Sequence, residues 1–160
     1  MKRGSTLFLK IAVIFIGIPI LALCIFLVPK IADYAGELYP HMAYIKYLVF
    51  IVLYAATIPF YFALYQAFNL LHYIDKNKAF SELSVMALKK IKNCAITISI
   101  IYVIGMPLFY FVAEKDDAPG VILLGLIIIF ASMVIAVFAA LLQRLLQEAI
   151  HIKSENDLTI

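Results

Sequence analysis

Residues 121–142 read VILLGLIIIFASMVIAVFAALL, a run of 22 residues without one charged side chain. An α-helix rises 1.5 Å per residue, so this run would be about 33 Å long as a helix, and the hydrocarbon core of a bilayer is about 30 Å thick. Lipid cannot hydrogen-bond to free backbone groups, so such a run must be helical inside a membrane. The stretch therefore predicts a membrane-spanning helix.

Three more uncharged apolar runs precede this one. Residues 11–28, 47–71 and 94–113 contain 18, 25 and 20 residues. None alternates between apolar and polar residues, which excludes the pattern of membrane β-strands. We predict an all-α fold, an integral membrane four-helix bundle made of two tandem helical hairpins.

The composition of the whole chain agrees with a single membrane domain, residues 1–160. Hydrophobic residues make up 66% of the chain and charged residues 14%, with a mean hydropathy of +1.04, whereas a soluble domain has roughly 25% charged residues. We place the spans at about 7–28, 44–71, 94–113 and 119–142. A loop, 72–93, and a tail, 143–160, complete the domain.

The distribution of positive charge predicts the orientation. If the N-terminus lies inside, ten of the 13 Lys and Arg residues lie on the inner side, and only Lys30, Lys46 and Lys115 lie outside. Positive residues concentrate on the cytoplasmic side of membrane proteins. We predict a multi-pass protein of the bacterial cytoplasmic membrane, with both termini, the loop and the tail in the cytoplasm.

The second span has an aromatic face. At 100° per residue its tyrosines fall close to one line along the helix, and buried tyrosine hydroxyls need partners, so this face should point into the bundle. It is either a packing face or the wall of a hydrophobic pocket. The candidate residues are Tyr54, Thr57, Pro59, Tyr61, Tyr65 and Asn69.

The first and third spans share a short motif, Ile16-Gly17-Ile18-Pro19 and Ile104-Gly105-Met106-Pro107. This similarity is consistent with a parallel repeat of two hairpins. Proline removes one backbone hydrogen bond and bends a helix. The bends provide either hinges around a cavity or fixed curvature for packing.

Small residues recur along the fourth span and predict a close helix–helix seam. They are Gly125, Ser132, Ala136 and Ala140. The expected partner of this seam is a bulky face such as that of the second span. A homodimer is the alternative.

Several functions are disfavoured by residues that the spans lack. None of the four uncharged runs contains an ionisable Asp, Glu, Lys, Arg or His, the residues that mark proton and ion pathways within a membrane. The two cysteines, Cys24 and Cys94, lie about 20 Å apart in depth by helical rise, and the chain has no motif of a hydrolase or a phosphate loop. We expect no enzyme, no cofactor, no metal site and, at a net charge of +3, no direct binding of nucleic acid.

The loop between the second and third spans is the most distinctive polar segment. Asn77-Lys78 is a plausible turn, and Ser81 is a good helix N-cap, so the third helix should begin three turns before the membrane. The segment is either a topology determinant or a docking surface in the cytoplasm. The candidate docking residues are Phe80, Ser81, Lys89, Lys90 and Lys92.

The same loop resembles a known family. Leu71-His72-Tyr73-Ile74, Ala79-Phe80-Ser81 and the stretch from Leu88 to Ile91 are similar to the YoaS-like family of small four-span bacterial membrane proteins, which is labelled a domain of unknown function. Lys78 stands where many members have a glycine. The resemblance implies the four-span fold and supplies no catalytic residue.

Two functional interpretations follow. Members of the YoaS-like family are often encoded beside a small helix-turn-helix regulator, so the resemblance implies a non-enzymatic regulatory or stress-responsive membrane protein with such a cytoplasmic partner. The alternative is a binder or carrier of a lipid or hydrophobic small molecule, for which the aromatic face and the bent helices would form the site. In both interpretations we expect the protein to be embedded in the lipid bilayer, which is itself a partner.

Overall fold

The computed structural model describes residues 3–42, 44–117 and 119–158, which form four α-helices. Helix α1 is Arg3–Leu38, α2 is Tyr44–Asp75, α3 is Glu82–Asp116 and α4 is Gly120–Leu158. Each of them is long and apolar enough to cross a membrane. The prediction of an all-α, four-span membrane fold is confirmed.

The helices are longer than their uncharged runs. Helix α1 has 36 residues, a length of about 54 Å, and it continues through Pro29 to Leu38. In this last part Ala32 and Ala35 are fully buried and form a core cluster with Ile45 and Val49 of α2. Packing against α2 therefore holds the turns that follow Pro29 in helical form.

Each helix packs on the one before it in the chain. Helix α2 lies against α1, α3 against α2 and α4 against α3, and α1 also touches α3. Among the described residues, the backbone of α4 comes close to α3 alone. The two hairpins, α1–α2 and α3–α4, thus meet along α2 and α3.

This arrangement corrects the expected partner of the small-residue seam. A Cβ atom placed on Gly125 of α4 would lie 2.8 Å from the sulfur of Met106 in α3. We expected the second span as the partner, but α4 begins only four residues after α3 ends, so the short connection folds it back onto α3.

The ends of the bundle form two sides. We use "terminal side" for the beginnings of α1 and α3 with the ends of α2 and α4, and "distal side" for the other ends. On the distal side α1 and α2 approach each other closely. A Cβ atom placed on Gly36 would lie only 3.2 Å from the Cβ atom of Lys46. Lys46 Nζ also forms an ion pair with Asp33 Oδ1 at 2.7 Å.

The turn after α2 is a Schellman motif. The N–H of Lys78 donates to the carbonyl of Tyr73 at 2.7 Å, and the N–H of Asn77 donates to the carbonyl of Ile74 at 3.1 Å. The left-handed residue is Asn77, with φ 58°, a residue type that tolerates this conformation. A glycine at position 78 is therefore not required here.

Ser81 lies at the N-cap of α3, as expected, but its side chain does not cap the helix. Its hydroxyl donates to the carbonyl of Lys78 instead, and the hydroxyl of Ser84 donates to the same oxygen at 3.1 Å. The two serine hydroxyls therefore stabilise the turn that precedes α3. The Ser81 hydroxyl does not accept a hydrogen bond from the free N–H groups of the first helical turn.

Candidate functional site

An apolar cleft of about 450 Å³ opens in the distal half of the bundle. Helices α2 and α3 form its floor, and α1 and α4, whose backbones do not meet, form its two walls. The cleft therefore opens sideways between α1 and α4. Residues that line it include Tyr34, Val49, Tyr102, Phe109, Val121 and Leu124.

Two aromatic side chains of α3 line the floor of the cleft. Tyr102 and Phe109 stand seven residues apart on one face of α3, and their rings stack with centroids 6.1 Å apart. Gly125 of α4 also lines the cleft, and its missing side chain lets α4 approach Met106 of α3. An apolar groove with aromatic rings in its lining is a kind of site that an apolar ligand can occupy.

Lys30 is the only charged residue that lines this cleft, within the part of the chain that the structure describes. It shares the cleft with Val49 and Leu53 of α2, and both belong to the uncharged run that starts at Tyr47. Ala32, half a turn from Lys30, packs in one cluster with Val49. Lys30 thus lies at the depth of the apolar run of α2, although it follows the end of the apolar run of α1.

A second cavity of about 480 Å³ lies between α2 and α3, also on the distal side. Residues that line it include Met42, Leu48, Val52, Ile104, Pro107 and Phe111. Gly105 also lines it, and a Cβ atom there would come within 2.8 Å of Val52. The two helices therefore approach each other closely beside this cavity.

The tyrosines predicted to face the bundle do so in part. The hydroxyl of Tyr54 donates to the carbonyl of Cys24 at 2.8 Å, and that of Tyr61 donates to the carbonyl of Gly17 at 2.7 Å. Thr57 lies between them, with its hydroxyl 3.5 Å from the sulfur of Cys24. This part of the aromatic face packs against α1.

The other three candidates of this face lie nearer the surface. Tyr65 is 59% exposed, and Pro59 and Asn69 are half-buried. Neither they nor Tyr54, Thr57 and Tyr61 line the cleft or the second cavity. Among the cleft-lining residues that the sequence did not single out are Lys30 of α1 and Tyr102 and Phe109 of α3. The seven-residue spacing of Tyr102 and Phe109 was the signal that could have found the last two.

The seam residues of α4 are placed on one side of the helix. Gly125, Ser132 and Ala136 are buried, and so is Ala139, whereas Ala140 is half-buried. The buried face points to α3, the helix on which α4 packs.

An ion pair joins α1 and α2 on the terminal side. Lys10 Nζ lies 2.7 Å from Asp75 Oδ2, and the two side chains are 17% and 20% exposed. The ammonium group of Lys10 also lies 5.5 Å from the centre of the ring of Phe68, close enough for a cation–π contact. The pair joins residues 65 positions apart, so sequence spacing gave no sign of it.

The candidate docking residues lie at the start of α3. Phe80 is 57% exposed, Ser81 is half-buried, Lys89 and Lys90 are exposed, and Lys92 is half-buried. Leu83 and Met86 are also exposed, and they continue the apolar surface of Phe80. We use "α3 apolar patch" for Phe80, Leu83 and Met86.

Comparisons with known proteins give the family. The family model described as Protein of unknown function (DUF2975) matches residues 30–160. The Uncharacterized membrane protein YoaS of Bacillus subtilis (strain 168) is 75% identical over 160 residues, which cover the whole of both chains. No solved structure matches the chain. These matches confirm the resemblance that the loop sequence indicated.

Proposed function

We propose that this chain, which belongs to the family described as Protein of unknown function (DUF2975), is a non-enzymatic protein of the bacterial cytoplasmic membrane that binds a lipid acyl chain in the cleft between α1 and α4. The observation that carries the proposal is the cleft itself. Its volume of about 450 Å³ falls within the range of about 300–1,000 Å³ that is usual for ligand sites.

The position of the opening favours a lipid over a water-soluble ligand. On the two walls Ile31 of α1 and Leu124 of α4 line the cleft and are themselves exposed. In a membrane such apolar residues face acyl chains, so a chain can enter sideways without crossing a polar barrier. Apart from Lys30, Tyr34 and Tyr102, the lining is apolar, which suits binding rather than acid–base chemistry.

A blocked cleft tests this proposal. The substitution Val121→Phe adds a ring at a lining position, and Val137→Phe adds the same ring to α4 at a residue that is 65% exposed. We would purify the full-length protein in mild detergent and count bound phospholipids by native mass spectrometry. We expect Val121→Phe to lose the retained lipid and Val137→Phe to keep it. Equal lipid retention by the two variants would exclude the cleft as the site.

We propose further that both termini lie in the cytoplasm. The support is the excess of Lys and Arg on the terminal side, because positive residues concentrate on the cytoplasmic side of membrane proteins. A reporter fused after Ile160 or inserted in the turn 76–81 should be active only in the cytoplasm. A reporter between α1 and α2 should be active only outside. The reverse pattern would invert the orientation.

A second candidate function is regulation through a cytoplasmic partner, and the α3 apolar patch favours it. On α3 the exposed residues Lys89 and Lys90 separate this patch from Ile96, which begins the exposed apolar residues of the span. The patch is therefore set apart from the membrane-facing surface. By analogy with the family's gene neighbourhood, a small helix-turn-helix regulator is the proposed partner.

Co-purification tests this second candidate. We would express the chain with a small helix-turn-helix regulator of the kind that is encoded beside family members, and compare wild type with Met86→Ser. Leu158→Ser is the control, because Leu158 is another exposed apolar residue, at the end of α4. Loss of the regulator only in Met86→Ser is expected. Retention in both variants would show that the α3 apolar patch does not bind the regulator.

A further inference from the structure

The cleft carries one positive charge, on the exposed side chain of Lys30. Lys30 lines the cleft beside Val49 and Leu53, which lie in the uncharged run of α2. A charged side chain in an apolar environment is costly unless an opposite charge or water accompanies it. Ionisable residues that face a cavity at this depth therefore point to a ligand of opposite charge.

The other lysines of the distal side already have partners. Lys46 pairs with Asp33 at 2.7 Å, and the ammonium group of Lys115 lies 5.6 Å from the centre of the ring of Tyr39. Lys30 forms no ion pair with any side chain in residues 4–42, 44–115, 117 and 119–158. Its charge is therefore available to a bound molecule.

We infer that the cleft selects an anionic glycerophospholipid. The phosphate of the lipid binds the ammonium group of Lys30, and one acyl chain lies along Tyr102 and Phe109. This inference rests on the proposed function and adds the headgroup to it. Free phosphate carries the same anionic group as the lipid headgroup, but it would leave the apolar lining of the cleft without a partner. A phospholipid provides both the anion for Lys30 and an acyl chain for the lining.

The position of Lys30 suits a phosphate at the mouth of the cleft. The long apolar stem of a lysine can lie along apolar residues while its ammonium group reaches toward the headgroup level. A charge-assisted hydrogen bond to phosphate is stronger than a neutral one. Loss of this bond should reduce affinity for the anionic lipid by about tenfold or more. A zwitterionic lipid carries the same phosphate, but its quaternary ammonium group repels the ammonium group of Lys30 and offsets that attraction, so its affinity should change much less.

The test compares two lipids with identical acyl chains, phosphatidylglycerol and phosphatidylcholine. Binding to the full-length protein is measured by native mass spectrometry for wild type, Lys30→Ala and Lys30→Arg. The control is Lys153→Ala, which removes an exposed lysine near the end of α4. Inorganic phosphate is added in a separate series as a competitor.

We expect wild type, Lys30→Arg and Lys153→Ala to prefer phosphatidylglycerol by about tenfold or more, and Lys30→Ala to bind the two lipids equally. A preference that survives in Lys30→Ala overturns the inference, and so does an equal affinity of wild type for the two lipids. In both cases lipid binding that Val121→Phe abolishes still supports the proposed function. Displacement of phosphatidylglycerol by millimolar phosphate would assign the site to the free anion and overturn the lipid inference.

Discussion

The two Ile-Gly-x-Pro motifs should respond differently to the same substitution. A Cβ atom on Gly105 would lie 2.8 Å and 3.4 Å from the two methyl groups of Val52. A Cβ atom on Gly17 would lie 3.4 Å from Leu64 and 3.7 Å from Tyr61, which is ordinary van der Waals contact. We therefore expect Gly105→Ala to destabilise the protein and Gly17→Ala to be neutral or stabilising.

The magnitudes follow from two opposing terms. Replacing glycine by alanine inside a helix gains about 1 kcal/mol from helix propensity, and this gain applies to both sites. Overpacking costs about 1–3 kcal/mol, and it applies only to Gly105, because the methyl groups of Val52 must move with the α2 backbone. The net change for Gly105→Ala is then a loss of about 0–2 kcal/mol, against a gain of up to about 1 kcal/mol for Gly17→Ala.

A double-mutant cycle isolates the contact. Val52→Ala removes both methyl groups that a Cβ atom on Gly105 would meet, so in that background Gly105→Ala should stabilise. The coupling free energy between the two sites should be about 1–3 kcal/mol, and helix propensity cancels from it. The free energy of unfolding can be followed by circular dichroism in mixed micelles titrated with denaturing detergent. A coupling below about 0.5 kcal/mol would refute the close contact between α2 and α3.

Two further predictions concern the seam and the aromatic face. Ala136→Leu should destabilise by about 1–3 kcal/mol, because Ala136 is buried on α4, whereas Val137→Leu at an exposed neighbour should change stability by less than about 0.5 kcal/mol; equal thermal shifts in detergent would exclude the seam. Tyr61→Phe should cost about 0.5–1.5 kcal/mol, because the hydroxyl donates to the carbonyl of Gly17 at 2.7 Å. Tyr65→Phe, at an exposed position, is the matched control, and a cost as large there would contradict the assignment.

The existence of the four helices could be predicted from the sequence, because each uncharged run is by itself long enough to span a bilayer. The residue at which α1 ends could not be predicted in this way. Proline is read as the end of a helix when its neighbours are unknown, yet α1 continues past Pro29. The extra turns are stabilised by Ala32 and Ala35 against α2, and this contact depends on the tertiary fold.

The residues of the candidate site, too, could be predicted only in part from the sequence. Periodicity places Tyr54, Tyr61 and Tyr65 on one face of α2, but it does not say which side chains of that face α1 covers. Tyr65 is exposed, although α1 still meets α2 beyond it, where Lys10 pairs with Asp75. Lys30 follows the end of its own apolar run, yet it lines the cleft beside Val49 and Leu53 of α2. This position depends on the stagger between α1 and α2, which a count along one helix does not contain.

The packing of each helix on its predecessor has a consequence for biosynthesis. Contacts between neighbours in the chain close short loops, and short loops lose little entropy on closure. Proteins rich in such local contacts fold fast. As the ribosome delivers the chain to the membrane, α1 and α2 can pair first, α3 can then add to α2, and α4 can add to α3. Each helix after α1 therefore finds a packing partner already in the bilayer.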